Sequence, residues 1–404
     1  MRFCAGLVIV LFLLTAAGCG GFYFQAVTGH LDLMSDRRPI DEVLADPSTS
    51  PKLAGRLRLI IEAREFAARE LALPDNDSYR TYVDLDRPYV VWNVFAAPEF
   101  SVEPRRWCFP VAGCVVYRGY FDEDRGRRYA DRLRQEGWDV FVGGAIAYST
   151  LGRFDDPVLS TMLRRGDVGV VATIFHELAH QQLYVKGDSA FNEAFASTVE
   201  DIGVERWLSG RGDMEALAQY RLRRSRQAAF NSLLKQTREE LAGIYGQDEP
   251  EEAMRSEKRQ AFETLRQRYQ ALKASWNGYA AFDAWFDSDL NNARLVPVST
   301  YARLVPAFRE LFRRAGGDLD VFYRECAALG ARPAEERTLE IEALLAISEN
   351  SDPSAAISGP LIRRDPEVST QPVLQAGGRD PETVQAGSAA LADAVDRQAE
   401  KIVH

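Results

Sequence analysis

An α+β fold, in which a small mixed sheet leads into a mainly helical half, is predicted by three observations. Between Tyr79 and Ser149, short runs rich in β-branched and aromatic residues recur, the composition of strands. From about residue 157 to 348 apolar residues return at helical spacing instead. The chain of 404 residues, 46 % hydrophobic, is also long enough to bury a sizeable core.

The elements follow in order. Met1-Arg2-Phe3, an apolar run from Ala5 to Ala17 and small residues before Cys19 read as a secretory signal over residues 1–18. Ala16-Ala17-Gly18-Cys19 resembles a bacterial lipobox, which implies lipidation of Cys19 and a lipid-anchored protein on the periplasmic side of the cell envelope, at the outer membrane. An uncleaved short membrane anchor is the alternative. Phe22-Tyr23-Phe24 and Leu31 to Met34 form a first helix, and Leu53 to Leu73 an amphipathic one that Pro74 ends. Strands are predicted at Tyr89–Ala96, Val115–Tyr120 and Val140–Gly144, with a helix over Asp122–Glu136 before the last. These elements make up a mixed sheet region over about 79–150.

The helical part, about 157–348, opens with a helix from Asp167 to Val185 and a second beginning near Asn192. Residues 212–276 predict two antiparallel helices broken at Gly243 to Gly246 and at Pro250, and the run Arg221 to Arg226 reads as a solvated helix face. A cluster of amides and aromatics follows, with Tyr279, Asn291, Asn292 and Tyr301. Residues 19–348 therefore read as the folded domain. From 349 to 404 the composition turns to Asp, Pro, Ser, Gly, Ala and Gln, too poor in apolar side chains to offset ordering entropy, so a disordered tail is expected.

The chemistry centres on Phe175-His176-Glu177-Leu178-Ala179-His180-Gln181, an HExxH motif. Positions i and i+4 share a helix face, so His176 and His180 reach one ion while Glu177 reaches a water on it. A single zinc ion is the cofactor this pattern implies. A catalytic zinc needs a third protein ligand; Glu193 is the best placed, with Asp188 and Glu200 as alternatives, because the remaining two of the four histidines, His30 and His404, lie near the termini. Glu177 is the expected base, and Asn192 and Glu200 are expected to orient ligands. A neutral donor for the reacting carbonyl oxygen is expected from Tyr301 or Tyr279, histidines being so scarce. Asn291, Asn292 and Tyr148 are candidates for holding substrate, Tyr148 from the Gly143–Gly152 segment that would offer a strand edge to an extended peptide.

Two resemblances sharpen this reading. His176 to Gln181 followed by Asn192-Glu193-Ala194-Phe195-Ala196-Ser197 is similar to the HELAHQ and NEGFAS signature of gluzincin aminopeptidases, which implies a zincin-like fold, His176, His180 and Glu193 as zinc ligands and Glu177 as base. The spacing from His180 to Glu193 is shorter than in those enzymes, and no GAMEN sequence occurs. The stretches Pro88 to Phe100, Trp107 to Cys114, Phe154 to Leu159 and Asn291 to Ala293 resemble a family of bacterial lipoproteins named putative aminopeptidases. A membrane-tethered zinc peptidase, an aminopeptidase by that resemblance, is the expected function, with peptides as substrate. The alternative is an envelope lipoprotein that binds peptide or cell wall around a structural zinc.

The five cysteines fit an oxidising compartment: Pro110 and Gly113 shape a loop narrow enough to bridge Cys108 and Cys114, two free thiols being the alternative. A net charge of −10 argues against nucleic acid as a partner.

Overall fold

The computed structural model describes residues 25–109, 113–287, 289–301 and 303–351. The signal segment, Cys19, nearly all of the tail and His404 lie outside the described residues.

Helix α1 (25–35) leads to a two-residue strand β1 (Arg38–Pro39), a short helix α2 (Ile40–Ala45) and the long α3 (Pro51–Glu70). Ser50 caps α3 by accepting Leu53 N–H, and Pro51 takes the first helical position, where its missing donor costs nothing. Then come β2 (Thr81–Val83), β3 (Val91–Pro98), β4 (Trp107–Phe109), β5 (Gly113–Val115), β6 (Arg118–Tyr120), α4 (Glu123–Gln135), β7 (Trp138–Ala145) and β8 (Val158–Leu159). The chain is α+β, as the strand-then-helix order predicts, but the single mixed sheet is replaced by separate pieces. Strands β6-β3-β7 form one antiparallel sheet, and β1-β2-β8 a second sheet with one antiparallel and one parallel pairing. The run Val115–Tyr120 is likewise two strands, because β5 turns back on β4 while β6 joins β3.

The antiparallel sheet is covered on both faces. Val94 and Ala96 of β3 pack on Ala130 and Leu133 of α4, while Phe95 and Ala97 pack on Ala293 and Val296 of a later helix, α9 (Asn292–Tyr301). Alternation along one strand thus serves two layers, which explains why nearly all of β3 is apolar. Gly144 of β7 has no room for a side chain: a Cβ there would lie 2.1 Å from the Tyr89 ring.

The helical half begins with α5 (Gly166–Gln182) and α6 (Ser189–Gly210), which pack closely as an antiparallel pair in the centre of the main core, flanked by α3 and by α10 (Val305–Arg314). Both are buried around most of their circumference, the polar residues of the α5–α6 face included, as central rather than surface helices are. Gly203 permits their approach, since a Cβ there would meet Phe175 at 2.7 Å. The predicted hairpin is α7 (Met214–Tyr245) and α8 (Glu251–Ser275), which close over a second core of Phe230, Leu234, Leu265, Tyr269 and Trp285. Helices α11 (Leu319–Gly330) and α12 (Ala334–Ser351) complete the main core.

Candidate metal centre

The connection between α5 and α6 sets the site. Asp188 caps α6 by accepting Phe191 N–H at 3.1 Å and pairs through its other oxygen with Arg337 at 2.9 Å. Asn192 grips the same connection from inside, accepting Val185 N–H at 2.7 Å and donating to Val185 C=O at 2.9 Å. The turn is thereby held so that the first turn of α6 faces the last turns of α5. Both residues are occupied by this work, so Asp188 is not a ligand, and Asn192 supports the turn rather than orienting a ligand directly.

Glu193 is the residue this arrangement brings to the histidines. His176 Nε2 and His180 Nε2 stand 3.1 Å apart, and the Glu193 carboxylate lies 3.5 Å from each of them. All three are buried, and the three potential ligand atoms fall within 4.8 Å of one another. Ligands about 2.0–2.1 Å from a tetrahedral ion stand about 3.3–3.4 Å from each other, so the observed spacings suit a single small cation. Glu193 Oε2 is buried and has no hydrogen bond, which an ion would remedy.

Glu200 lies seven residues after Glu193, on the same face of α6, and accepts from His176 Nδ1 at 3.1 Å. It thereby presents Nε2 to the ion position, the role expected of a carboxylate behind a ligating imidazole, and it is not itself in the triad. Burial, the largest influence on His176, disfavours its charge, but the two buried carboxylates beside it, Glu193 and Glu200, outweigh it and raise the imidazole to about 9. Ion binding there must displace a proton. Glu200→Ala should weaken the affinity of the triad for a divalent cation about 10- to 100-fold while leaving the fold intact, read by competition with a chelator.

Behind Glu200, the buried Asp201 accepts Tyr220 Oη at 2.7 Å and pairs with Arg224 at 2.7 Å and Arg309 at 2.6 Å, tying α6 to α7 and α10. Arg224 therefore turns inward from a run expected to be a solvated face, whereas Arg221 stays at the surface with Glu205. A periodic pattern of arginines does not reveal that a buried aspartate waits opposite one of them.

Other expected site residues are placed elsewhere. Asn292 donates to the carbonyls of Pro98 and Glu99 at 3.1 and 2.9 Å and accepts Tyr245 Oη at 2.9 Å, so it fastens α9 to the end of β3 and is not available to substrate. Asn291 donates to Val140 C=O at 3.2 Å and caps Arg294 N–H at 3.3 Å, which ties α9 to β7. Tyr148 packs under α1, its ring 5.3 Å from Phe121 and its hydroxyl 3.4 Å from His30 Nδ1. Tyr279 sits in the second core with Trp276 and Phe282, the Arg226 guanidinium 4.1 Å above its ring. Tyr301 ends α9, and its side chain lies outside the described part. Cys108 and Cys114 are bridged across the β4–β5 pair.

Two tyrosines that the sequence did not single out stand near Glu193 instead. Tyr117, between β5 and β6, packs on Phe95; burial first, then the charge of Glu193, pushes its hydroxyl well above the ordinary phenol range. Tyr184, just beyond α5, is raised by the same two causes. No motif marks them, because a strand connection 76 positions before Glu193 reaches it only through the fold.

Residues 21–341 match the family model described as "Putative aminopeptidase". The chain belongs to this family. The match spans all three sheets, the α5–α6 pair and α9, so the metal triad lies within the matched residues. No curated protein and no solved structure matches the chain.

Proposed function

We propose that this member of the aminopeptidase family is a zinc-dependent peptidase with a zincin-like centre, tethered to the bacterial envelope by a lipid on Cys19 and facing the periplasm. The observation that carries the reading is the meeting of His176, His180 and Glu193 at 3.1 to 3.5 Å, with Glu177 on the same helix turn. Among the described residues no fourth His or Cys joins the triad, which favours an open, catalytic site over a closed structural one.

Zinc bound there would supply an activated water and an electrophile for the scissile carbonyl. Glu177 accepts the proton of the attacking water and returns it to the leaving amine. Burial and the Glu193 charge keep the Tyr117 hydroxyl protonated, so it is a neutral donor suited to the oxygen that gains charge, the role first expected of Tyr301 or Tyr279. Strand β7 is at the edge of its sheet, and Ala145 and Ala147 at its end enter the core that holds α5. An extended peptide pairing with that edge would approach the centre. The tether is supported by an apolar patch on α1: Val27 and Leu31 are 54 % and 58 % exposed, and Phe154, 55 % exposed, lies 4.8 Å from the intervening His30.

The purified chain should hold about one zinc and hydrolyse aminoacyl reporters, with activity abolished by chelation and restored by zinc. Equal rates on N-terminally blocked peptides would refute exopeptidase action, and a zinc-loaded chain inert toward all peptides would refute the enzyme.

A further inference from the structure

Helix α1 is held to the domain along one face only. Gln25 donates from Nε2 to Gly119 C=O at 3.2 Å and accepts Phe121 N–H at 3.1 Å, and Leu33 is buried in the main core. With 3.6 residues per turn, Val27 and Leu31 fall on the opposite face, and both are more than half exposed. A solvated helix would carry polar side chains there.

The turn after Ser149 brings a third apolar side chain to the same place. Arg153 N–H donates to Thr150 C=O at 3.2 Å across Leu151 and Gly152, whose φ values of +58° and +72° are both left-handed. Such a conformation at a leucine persists only where surrounding contacts overdetermine it. The buried Asp156 supplies them, accepting Thr150 N–H and Thr150 Oγ1–H at 2.8 Å each, while Thr150 Oγ1 accepts Phe154 N–H at 3.1 Å. Phe154 is thereby held outward, its ring 4.8 Å from His30, which lies between Val27 and Leu31 on α1. Among the described residues five large apolar side chains are more than half exposed, and three of them gather here; the other two, Met214 and Leu339, are on α7 and α12.

We propose that Val27, Leu31 and Phe154 insert into the lipid surface and seat the domain on the bilayer in one orientation. The inference rests on the membrane tether proposed above, and not on the peptidase chemistry. Cys19 precedes Gln25 by six residues, which span about 20 Å at full extension, so a lipid on Cys19 keeps the start of α1 within that reach of the bilayer. A lipid surface takes up the apolar face of such a helix without a matching shape. Three side chains fall far short of the about 800 Å² per partner that a stable protein interface buries, which disfavours a second copy as the occupant. The exposed charges around the patch are of both signs, Asp32, Asp36 and Arg153, so apolar insertion carries the contact and attraction to anionic lipid does not. The same turn meets the metal helix, since a Cβ on Gly152 would lie 3.3 Å from the side chain of Gln181, the residue after His180. Seating therefore also fixes the distance of the metal centre from the bilayer.

Leu31→Cys and Leu339→Cys each add one exposed thiol to the full chain, in which Cys108 and Cys114 are bridged and Cys326 is buried. Each variant takes a thiol-reactive fluorophore, with the parent chain as blank. On phosphatidylcholine vesicles that contain nitroxide lipid, the label at 31 should be quenched at least about threefold and the label at 339 less than about 1.3-fold. Raising the salt to about 0.5 M should leave the quenching at 31 unchanged. Adding Val27→Asp and Phe154→Asp should remove most of it, while the chain still floats with the vesicles. A chain that floats yet shows no quenching at 31, equal quenching at 31 and 339, or quenching indifferent to V27D and F154D would overturn the seating alone. A chain that does not float would overturn the tether and the seating with it. Self-quenching at 31 that rises with chain concentration, without quenching by lipid, would assign the face to a second copy instead.

Discussion

Glu193→Ala is expected to empty the metal centre and abolish hydrolysis together. Glu193 supplies the only carboxylate of the triad, with Oε2 3.5 Å from His176 Nε2 and Oε1 3.5 Å from His180 Nε2. Without it, two histidines hold the ion alone, and zinc affinity should fall by at least about 1000-fold, roughly 4 kcal/mol. The loss extends to stability. A ligand at about 100 to 1,000 times its Kd stabilises the folded state by about 3 to 4 kcal/mol, so the variant should melt several degrees below the zinc-loaded parent. Against the metal-free parent the difference should nearly vanish. Equilibrium dialysis with zinc measures the first effect, and calorimetry with and without chelator the second. Full zinc and activity in E193A would show that the ligand assignment is wrong.

Glu177→Gln should do the opposite to the metal and the same to the rate. Glu177 is one residue from His176 and outside the triad, so the amide leaves the ligands in place and zinc content should stay within about twofold of the parent. An amide cannot accept the proton of the attacking water, and general-base loss lowers kcat about 10²- to 10⁴-fold. KM should change little, because the residue acts in the transition state and not in uniform binding. Zinc analysis beside steady-state kinetics checks both halves. A variant that lost zinc as well would recast Glu177 as a structural part of the centre.

The features legible in the sequence are those set by local geometry. The helix over His176 and His180, the strands around Val91 and Val140 and the break between α7 and α8 follow from periodicity and from Gly and Pro positions, and each lies within a few residues of where the pattern predicts it. Asn292 shows the limit. An amide among helices reads as a free recognition group, yet here it joins Pro98, Glu99 and Tyr245, partners remote in the chain. Tyr148 and Tyr279 depart from expectation for the same reason, since an aromatic hydroxyl near a motif in sequence can point into a different core.

By itself the sequence determined that two imidazoles and a glutamate share a helix, since a 3.6-residue repeat puts i and i+4 together whatever surrounds them. It also narrowed the third ligand to three acids. Only the tertiary structure decided among these, because Asp188 is committed to a helix cap and Arg337, Glu200 to His176 Nδ1, and Glu193 alone is left with a buried oxygen and no hydrogen bond facing the ion position. Tyr117 likewise enters the picture through packing. Which acid or hydroxyl meets the centre depends on how α5, α6 and the turn between β5 and β6 stack, because burial makes a polar group without a partner costly.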